Sequence, residues 1–547
     1  MVGQVRPLQA TSGYGYDGGD RVIQVTDPRA LVTSYTYDGF GDLIQETSPD
    51  RGTTVYRVDA AGNRTRRVDA AGVETDYGWD ALNRLSAVSN PATPGANLAF
   101  GYDDPTPGVF GVGRLTSVAG NGVGVTYAYD ARGNRVQESR TVGGVTAVTA
   151  YGFDAADALV SLTYPSGRVV NYARDGQGRV SGVTMQAGAG APATTLASGI
   201  SYDPFGPVAG LTLGNGLTAS FSRDQNGRLT ALAVTGSGGA VRAQSLTTDA
   251  TGNITAIADP VVPGRSQSFQ YDALDRLVAA TGAYGSLGYG YDASGNRTGR
   301  TFGSGGPPAE SYLTPASSNQ LASVSNGPSP TLSPGTITSL YDAAGHRVSQ
   351  QQPAVPGSRT DFLYDPAGQL LAESDGTGVA LREYVWLGEL PLAMVADSVA
   401  GAPTYWIHTD QLGTPQTLTD ASATVVWDTT RGPFGEWLTI TGAAVMPLRF
   451  PGQVFDADSG WHDNHHRSYD PNLGRYLQSD PIGLAGGLNP YDYVGGNPLG
   501  YADPSGQCPL CLAAAVLAVT LTPNRPTHRS RETAPSQRTR RPPSSMP

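Results

Sequence analysis

The sequence predicts an all-β protein: β-hairpins laid side by side and wound into a long curved sheet, a hollow shell or part of one. Three observations carry this. Gly (72) and Pro (40) exceed a fifth of the 547 residues, and Tyr (27) far outnumbers Phe (12); Tyr, Thr and Val set between Gly-centred turns favour strands. Only 15% of the chain is charged, against about 25% for an ordinary domain. A short unit also recurs: an aromatic segment, Asp, two or three small residues, a turn residue, Asn or Arg, then a hydrophobic.

Instances of the unit include YTYDGFGDL, YAYDARGNRV, FQYDALDRL and FLYDPAGQL. Its first aspartates, Asp17, Asp38, Asp59 and Asp80, are evenly spaced. Later ones are Asp130, Asp154, Asp175, Asp203, Asp224, Asp249, Asp272, Asp292, Asp342 and Asp365. Each unit reads as a hairpin in which Asp starts the turn and Gly or Asn supplies a positive φ. The repeat aspartates are therefore expected to be turn-capping acceptors and not catalytic groups. One hairpin cannot bury its own apolar face, so neighbours must stack edge to edge. About fourteen units of two strands at about 4.8 Å give a strip about 130 Å wide, which closes into a ring about 40 Å across. Gly/Pro/Ser-rich inserts near 185–198 and 303–336 are expected to be surface loops.

Net charge is −11, and residues 508–547 carry six Arg and one Glu, leaving the body more acidic still. An acidic body argues against nucleic-acid binding, which needs a basic face. Every basic residue is arginine; composition alone assigns that no mechanism. The N-terminus lacks the apolar core of a Sec signal, and the apolar run 510–521 is too short to span a bilayer. Cys508 and Cys511 are the two cysteines, so the body has no disulfide framework, and one Cys-Pro-Leu-Cys without a second pair is a poor zinc signal.

The chemistry concentrates between Arg449 and Gln507. Two Asp-Pro-x-Gly turns, Asp480–Gly483 and Asp503–Gly506, follow one another there, and the composition breaks directly after the second. Two carboxylates brought together can share a proton and activate water. The break places the expected attack at the chain's own Gln507–Cys508 bond, where tethering removes the entropy cost of binding a substrate.

These residues resemble the RHS/YD-repeat proteins of bacteria. The likeness runs from the repeats through YWIHTDQLGTPQTLTD (405–420), WDTTRGPFGE (427–436) and the block 449–507, with Arg467-Ser-Tyr-Asp-Pro471, Leu473-Gly-Arg-Tyr476 and both Asp-Pro turns in order. The resemblance implies a repeat array over 1–400, an RHS-associated core with an autoprotease plug over 401–507, and a short variable tail over 508–547 that is too Pro/Arg/Ser-rich to pack a core. It implies an aspartyl autoprotease with Asp480 and Asp503 as the carboxylate pair and Arg467 as their supporting cation, Arg475 being a secondary candidate. The cut falls between Gln507 and Cys508, with Gln507 standing where the family has Leu. No cofactor or metal is expected. The implied partners are the chain's own C-terminal segment as cargo and a shell-closing or secretion-system protein, and the implied location is the bacterial cytoplasm before export by a specialised route or toxin complex. Since Asp17 is already in phase with the array, the chain also reads as one component of a larger system or as a truncated frame.

Other clusters receive plainer readings. His462, His465 and His466 are expected to pack the plug, and His408 with Asp410 to form a structural hydrogen bond. The competing functional classes are a cell-surface adhesion or carbohydrate-binding module, which would use exposed Tyr and Trp, and a toxin-less remnant without activity.

Overall fold

The computed structural model describes residues 2–204, 206–327 and 337–507 and the strand Leu512–Ala513. Cys508 and the remainder of the tail, including the expectation that it cannot pack a core, lie outside the described residues. Among the described residues the protein is nearly all strand. A 29-stranded antiparallel sheet runs from Val2–Val5 to Ser323–Ser325, and a ten-stranded sheet runs from Thr338–Tyr341 to Trp437–Gly442. In both sheets each strand pairs with the next in sequence.

The repeat unit is a hairpin turn stitched to its neighbours. At Asp59, Oδ1 accepts from the N–H groups of Ala61 and Asn63, both at 2.9 Å, and Gly62 has φ +80°. The same pattern recurs at Asp38, Asp80, Asp130, Asp224, Asp249 and Asp365. The residue four after Asp then reaches the next turn: Asn253 Nδ2 donates to Asp249 and, at 2.7 Å, to Asp275. The aromatic before Asp reaches back one unit, as when the Tyr37 hydroxyl donates to Val22 O, Tyr271 to Ile254 O and Tyr291 to Leu277 O.

The expected loop at 185–198 shrinks to 187–192, because Ala193–Tyr202 is a ten-residue strand. Its β-branched and apolar residues pair with Val180–Gln186 and Val208–Leu213 despite a bulge near Gly199, so small-residue content outweighed strand pattern in the sequence reading. The insert 303–336 likewise holds the strands Glu310–Leu313 and Ser323–Ser325; 328–336 lies outside the described residues.

The long sheet curls until its early units meet its late ones. Asp27 Oδ2 accepts from Ser294 Oγ at 2.8 Å and Asn319 Nδ2 at 3.3 Å, and the Arg29 guanidinium donates to the carbonyls of Pro315 and Ser318. The short sheet lies inside this curve. Its contacts advance in step with the long sheet: Asn121 to Tyr341, Tyr164 to Tyr384, Leu196 to Trp406, Asn215 to Thr419, Arg265 to Asp428 and Arg300 to Glu436. Sixteen outer strands, from Val123–Tyr129 to Arg297–Phe302, thus face nine inner ones, from Thr338–Tyr341 to Val425–Arg431. With strands about 4.8 Å apart and sheets about 10 Å apart, that deficit corresponds to an arc of roughly half a turn at an outer radius near 20–25 Å. Between the arcs sits the main core, including Leu162, Val183, Leu196 and Leu211 against Leu371, Val385, Leu392 and Trp406.

The short sheet continues through Gly442, so the segment 405–436 forms two further hairpins of the strip. A separate four-stranded meander follows: Val454–Phe455, His462–Asn464, Arg467–Asp470 and Arg475–Tyr476. It packs an aromatic cluster of Phe450, Tyr469, Tyr476 and Tyr493 on the turn end of the strip. Asn497 meets Asn253, and Asn489 meets Asn296.

Candidate functional site

The meander and the two Asp-Pro turns form one buried polar centre. His465, at φ +53°, makes the tight turn between Asn464 and Arg467, so Arg467 opens the next strand with its side chain inward. Its guanidinium lies 3.5 Å over the Tyr476 ring. Nη2 stands 3.1 Å from Asp480 Oδ2 and 3.1 Å from Asp503 Oδ2. The two carboxylates therefore flank one nitrogen and are only 2% exposed. Nη1 donates to Pro490 O at 3.2 Å and Nε to Gly506 O at 2.5 Å, so one arginine ties both turns and the loop between them.

Each carboxylate has its own support. Asp480 Oδ1 accepts from Ile482 N at 3.0 Å. A side chain at Gly486 would collide with Asp480 Oδ2, so glycine lets the backbone lie against the carboxylate. Asp503 Oδ2 accepts from the Tyr476 hydroxyl at 2.7 Å, and Oδ1 from Ser505 Oγ at 3.2 Å and Gln507 N at 3.3 Å. Asn464 Nδ2 donates to both the Tyr476 hydroxyl and Asp503 O. Burial pushes the Asp480 carboxyl above the usual carboxylate range, with Arg467 pulling the other way and Asp503 adding to the rise. Burial also pushes the Tyr476 phenol far up, so it stays a donor.

The structure thus brings Asp480, Asp503 and Arg467 together and sets Gln507 one hydrogen bond from Asp503. Cys508 lies outside the described residues. Arg475 lies elsewhere: it donates to Asn319 O at 2.8 Å and stacks on Tyr491, joining the meander to the strip. The histidines part company, His462 bonding Gln453, His465 packing on His346 and Tyr364, and His466 meeting Ser505 O. His408 is buried against Thr419, burial pushing it down to about 3, and Asp410 caps a repeat-type turn through Leu412 and Thr414. Sequence reasoning missed Tyr476 and Asn464. Tyr476 closes the Leu-Gly-Arg-Tyr element, whereas Asn464 was masked by the neighbouring histidines.

A model of the RHS Repeat family matches residues 16–53, 58–94 and 148–191, and a model of the Teneurin YD-shell matches 388–485. The chain thus carries RHS repeats and a YD-shell segment. Among relatives of this RHS protein, the double-stranded DNA deaminase toxin A of Burkholderia cenocepacia is 32% identical over 30% of the chain and 15% of its own length. Toxin protein Tse5 of Pseudomonas aeruginosa is 36% identical over 23% of the chain and 10% of its own length. In fold, a shell chain of the Photorhabdus luminescens Tc holotoxin pore superposes with a TM-score of 0.78 at 17% identity, covering 91% of this chain and 29% of that one. The TcdB2-TccC3 structure gives 0.75 at 18% identity, covering 91% and 30%. The RHS protein has the Tc-toxin shell fold and spans less than a third of the length of these relatives and shell chains.

Proposed function

We propose that this RHS protein forms part of a toxin-encapsulating shell and cuts its own chain after Gln507, freeing the segment beyond as cargo. The observation that carries the reading is the pair of buried carboxylates on one arginine nitrogen, with Gln507 N bonded to one of them. In the reaction, Asp503 takes a proton from water as its oxygen attacks the Gln507 carbonyl carbon. Asp480, whose carboxyl burial holds protonated more readily, gives its proton towards the Cys508 amine as the C–N bond breaks. The products are a Gln507 carboxyl group and the new Cys508 amine, to which it gives its proton, and the dyad is left with its proton moved from one carboxylate to the other. Arg467 compensates the charge of the pair throughout.

The fold, and relatives that are themselves named toxins, support the shell-and-cargo part of the reading. Export by a specialised system and a partner that completes the shell belong to the same proposal. No helix among the described residues is long and apolar enough to cross a membrane. The adhesion reading gains no comparable support, because repeat tyrosines bond neighbouring carbonyls, and Trp406 and Trp427 are buried.

The test is the intact mass of purified protein beside Asp480→Asn and Asp503→Asn. We expect a wild-type chain ending at Gln507 and both variants whole. A break at Asp503–Pro504 in wild type and Asp480→Asn but not in Asp503→Asn would reflect only an acid-labile Asp-Pro bond, and three whole chains would sink the autoprotease.

A further inference from the structure

We propose that Arg51, from an early hairpin of the strip, is a positioning residue of this site, so that cleavage requires a closed seam between the strip's early and late units. The inference rests on the autoprotease reading and extends it to regulation. The turn 48–52 joins Leu43–Ser48 to Gly52–Val58, at the opposite end of the sequence from Asp480. Its Arg51 guanidinium lies against the first Asp-Pro turn: a side chain at Gly483 would meet Nη1 at 2.6 Å. Gly483 has φ +61°, so glycine meets both the backbone demand and the close approach. Gly483 N donates to Asp480 O at 3.0 Å, which makes this turn the frame of the carboxylate.

The same early turn is clamped to the late units. Asp50 Oδ1 accepts from Asn319 N at 2.5 Å and Ser318 Oγ at 3.0 Å, and Oδ2 from Asn319 Nδ2 at 3.1 Å. Asn319 O in turn accepts from Arg475, the residue before Tyr476, which donates to Asp503. The seam therefore touches both halves of the dyad, Asp480 through Arg51 and Gly483, and Asp503 through Asn319, Arg475 and Tyr476.

The charged groups that face Asp480 are Arg467 from the meander, Asp503 from the second turn and Arg51 from the strip, with Glu46 behind Arg51 at 3.7 Å. Arg51 and Arg467 both pull the Asp480 carboxyl down against burial. An open seam would withdraw Arg51 and loosen the turn while leaving the meander's own residues in place.

The experiment follows cleavage of the full chain over time by intact mass from pH 4 to 9, in wild type, Arg51→Met, Arg51→Lys and Asp50→Asn. Arg57→Met, an exposed arginine on the following strand, is the control. We expect Arg51→Met to slow cleavage about tenfold and move its optimum to higher pH, since the lost cation leaves Asp480 protonated further up the scale. Arg51→Lys should restore the optimum. Asp50→Asn, which loosens the clamp on the Arg51 turn, should slow cleavage and move the optimum the same way, and the control should match wild type. If Arg51→Met folds poorly, Asp50→Asn decides alone. A wild-type optimum in Asp50→Asn or in Arg51→Met overturns the seam while the autoprotease stands. A wild-type chain that stays whole overturns both.

Discussion

At the residue scale, the Asp480–Asp503 pair leans on the groups packed around it. The Tyr476 hydroxyl and Arg467 both occupy Asp503 Oδ2, which leaves Oδ1 facing Gln507. Tyr476→Phe removes a buried donor to that carboxylate and should slow cleavage about tenfold with the fold retained, read by intact mass and circular dichroism. Asp492 offers a pH test of the block around the site. Burial pushes its carboxyl up to about 7, with Arg475 opposing. Because the folded-state value is raised, the stability it contributes is fully present below about pH 4 and is lost as pH rises through about 7. Asp492→Asn should abolish that slope, making the variant more stable than wild type above pH 7 by on the order of 2 kcal/mol in urea melts. The sequence made the two Asp-Pro turns legible because turn chemistry is a local property of short motifs, whereas Arg467 was expected only through the family resemblance. It did not disclose Arg51, since nothing local distinguishes that arginine from its neighbours; only the winding of the strip brings it to Gly483.

At the element scale, the repeat is a set of stitches between hairpins. Asp249 Oδ1 accepts from three successive backbone N–H groups, Thr251, Gly252 and Asn253. Asp249→Ala should cost about 2 kcal/mol in thermal or urea unfolding. Tyr271→Phe, which loses one bond to Ile254 O, should cost about 1 kcal/mol. This back-bond also explains why the composition favours Tyr over Phe. The absence of lysine, which composition left without a role, gains one here. Arg84 Nε pairs with its own Asp80 at 2.7 Å, Nη2 reaches Asp103, and the guanidinium sits 4.3 Å over Tyr102. An ammonium cannot make these contacts together. Hairpin existence and turn position were legible from Asp spacing, whereas the strand Ala193–Tyr202 was hidden by its small residues.

At the scale of the whole molecule, the chain is a spiral that tightens. The sequence separation across its contacts falls from 292 at Asp27–Asn319 to 220 at Asn121–Tyr341, 210 at Leu196–Trp406 and 136 at Arg300–Glu436. The sequence predicted a strip that curls, but not which units would meet. That depends on accumulated twist and on the shorter inner arc, which no single unit encodes. The seam itself is measurable: an Asp50→Ala and Asn319→Ala double-mutant cycle should give a coupling of about 1–3 kcal/mol, and independent additive losses would mean that the clamp is incidental. The spiral also sets an order of events during synthesis. A ribosome releases Asp27 and Asp50 long before their partners Ser294 and Asn319, and the Asp-Pro turns emerge later still. Until then the early hairpins have only their immediate neighbours, and contacts this remote make for slow folding. A site that draws on Asp480 and Asp503, and rests on the much earlier Arg51, would be complete only when the strip has closed around it.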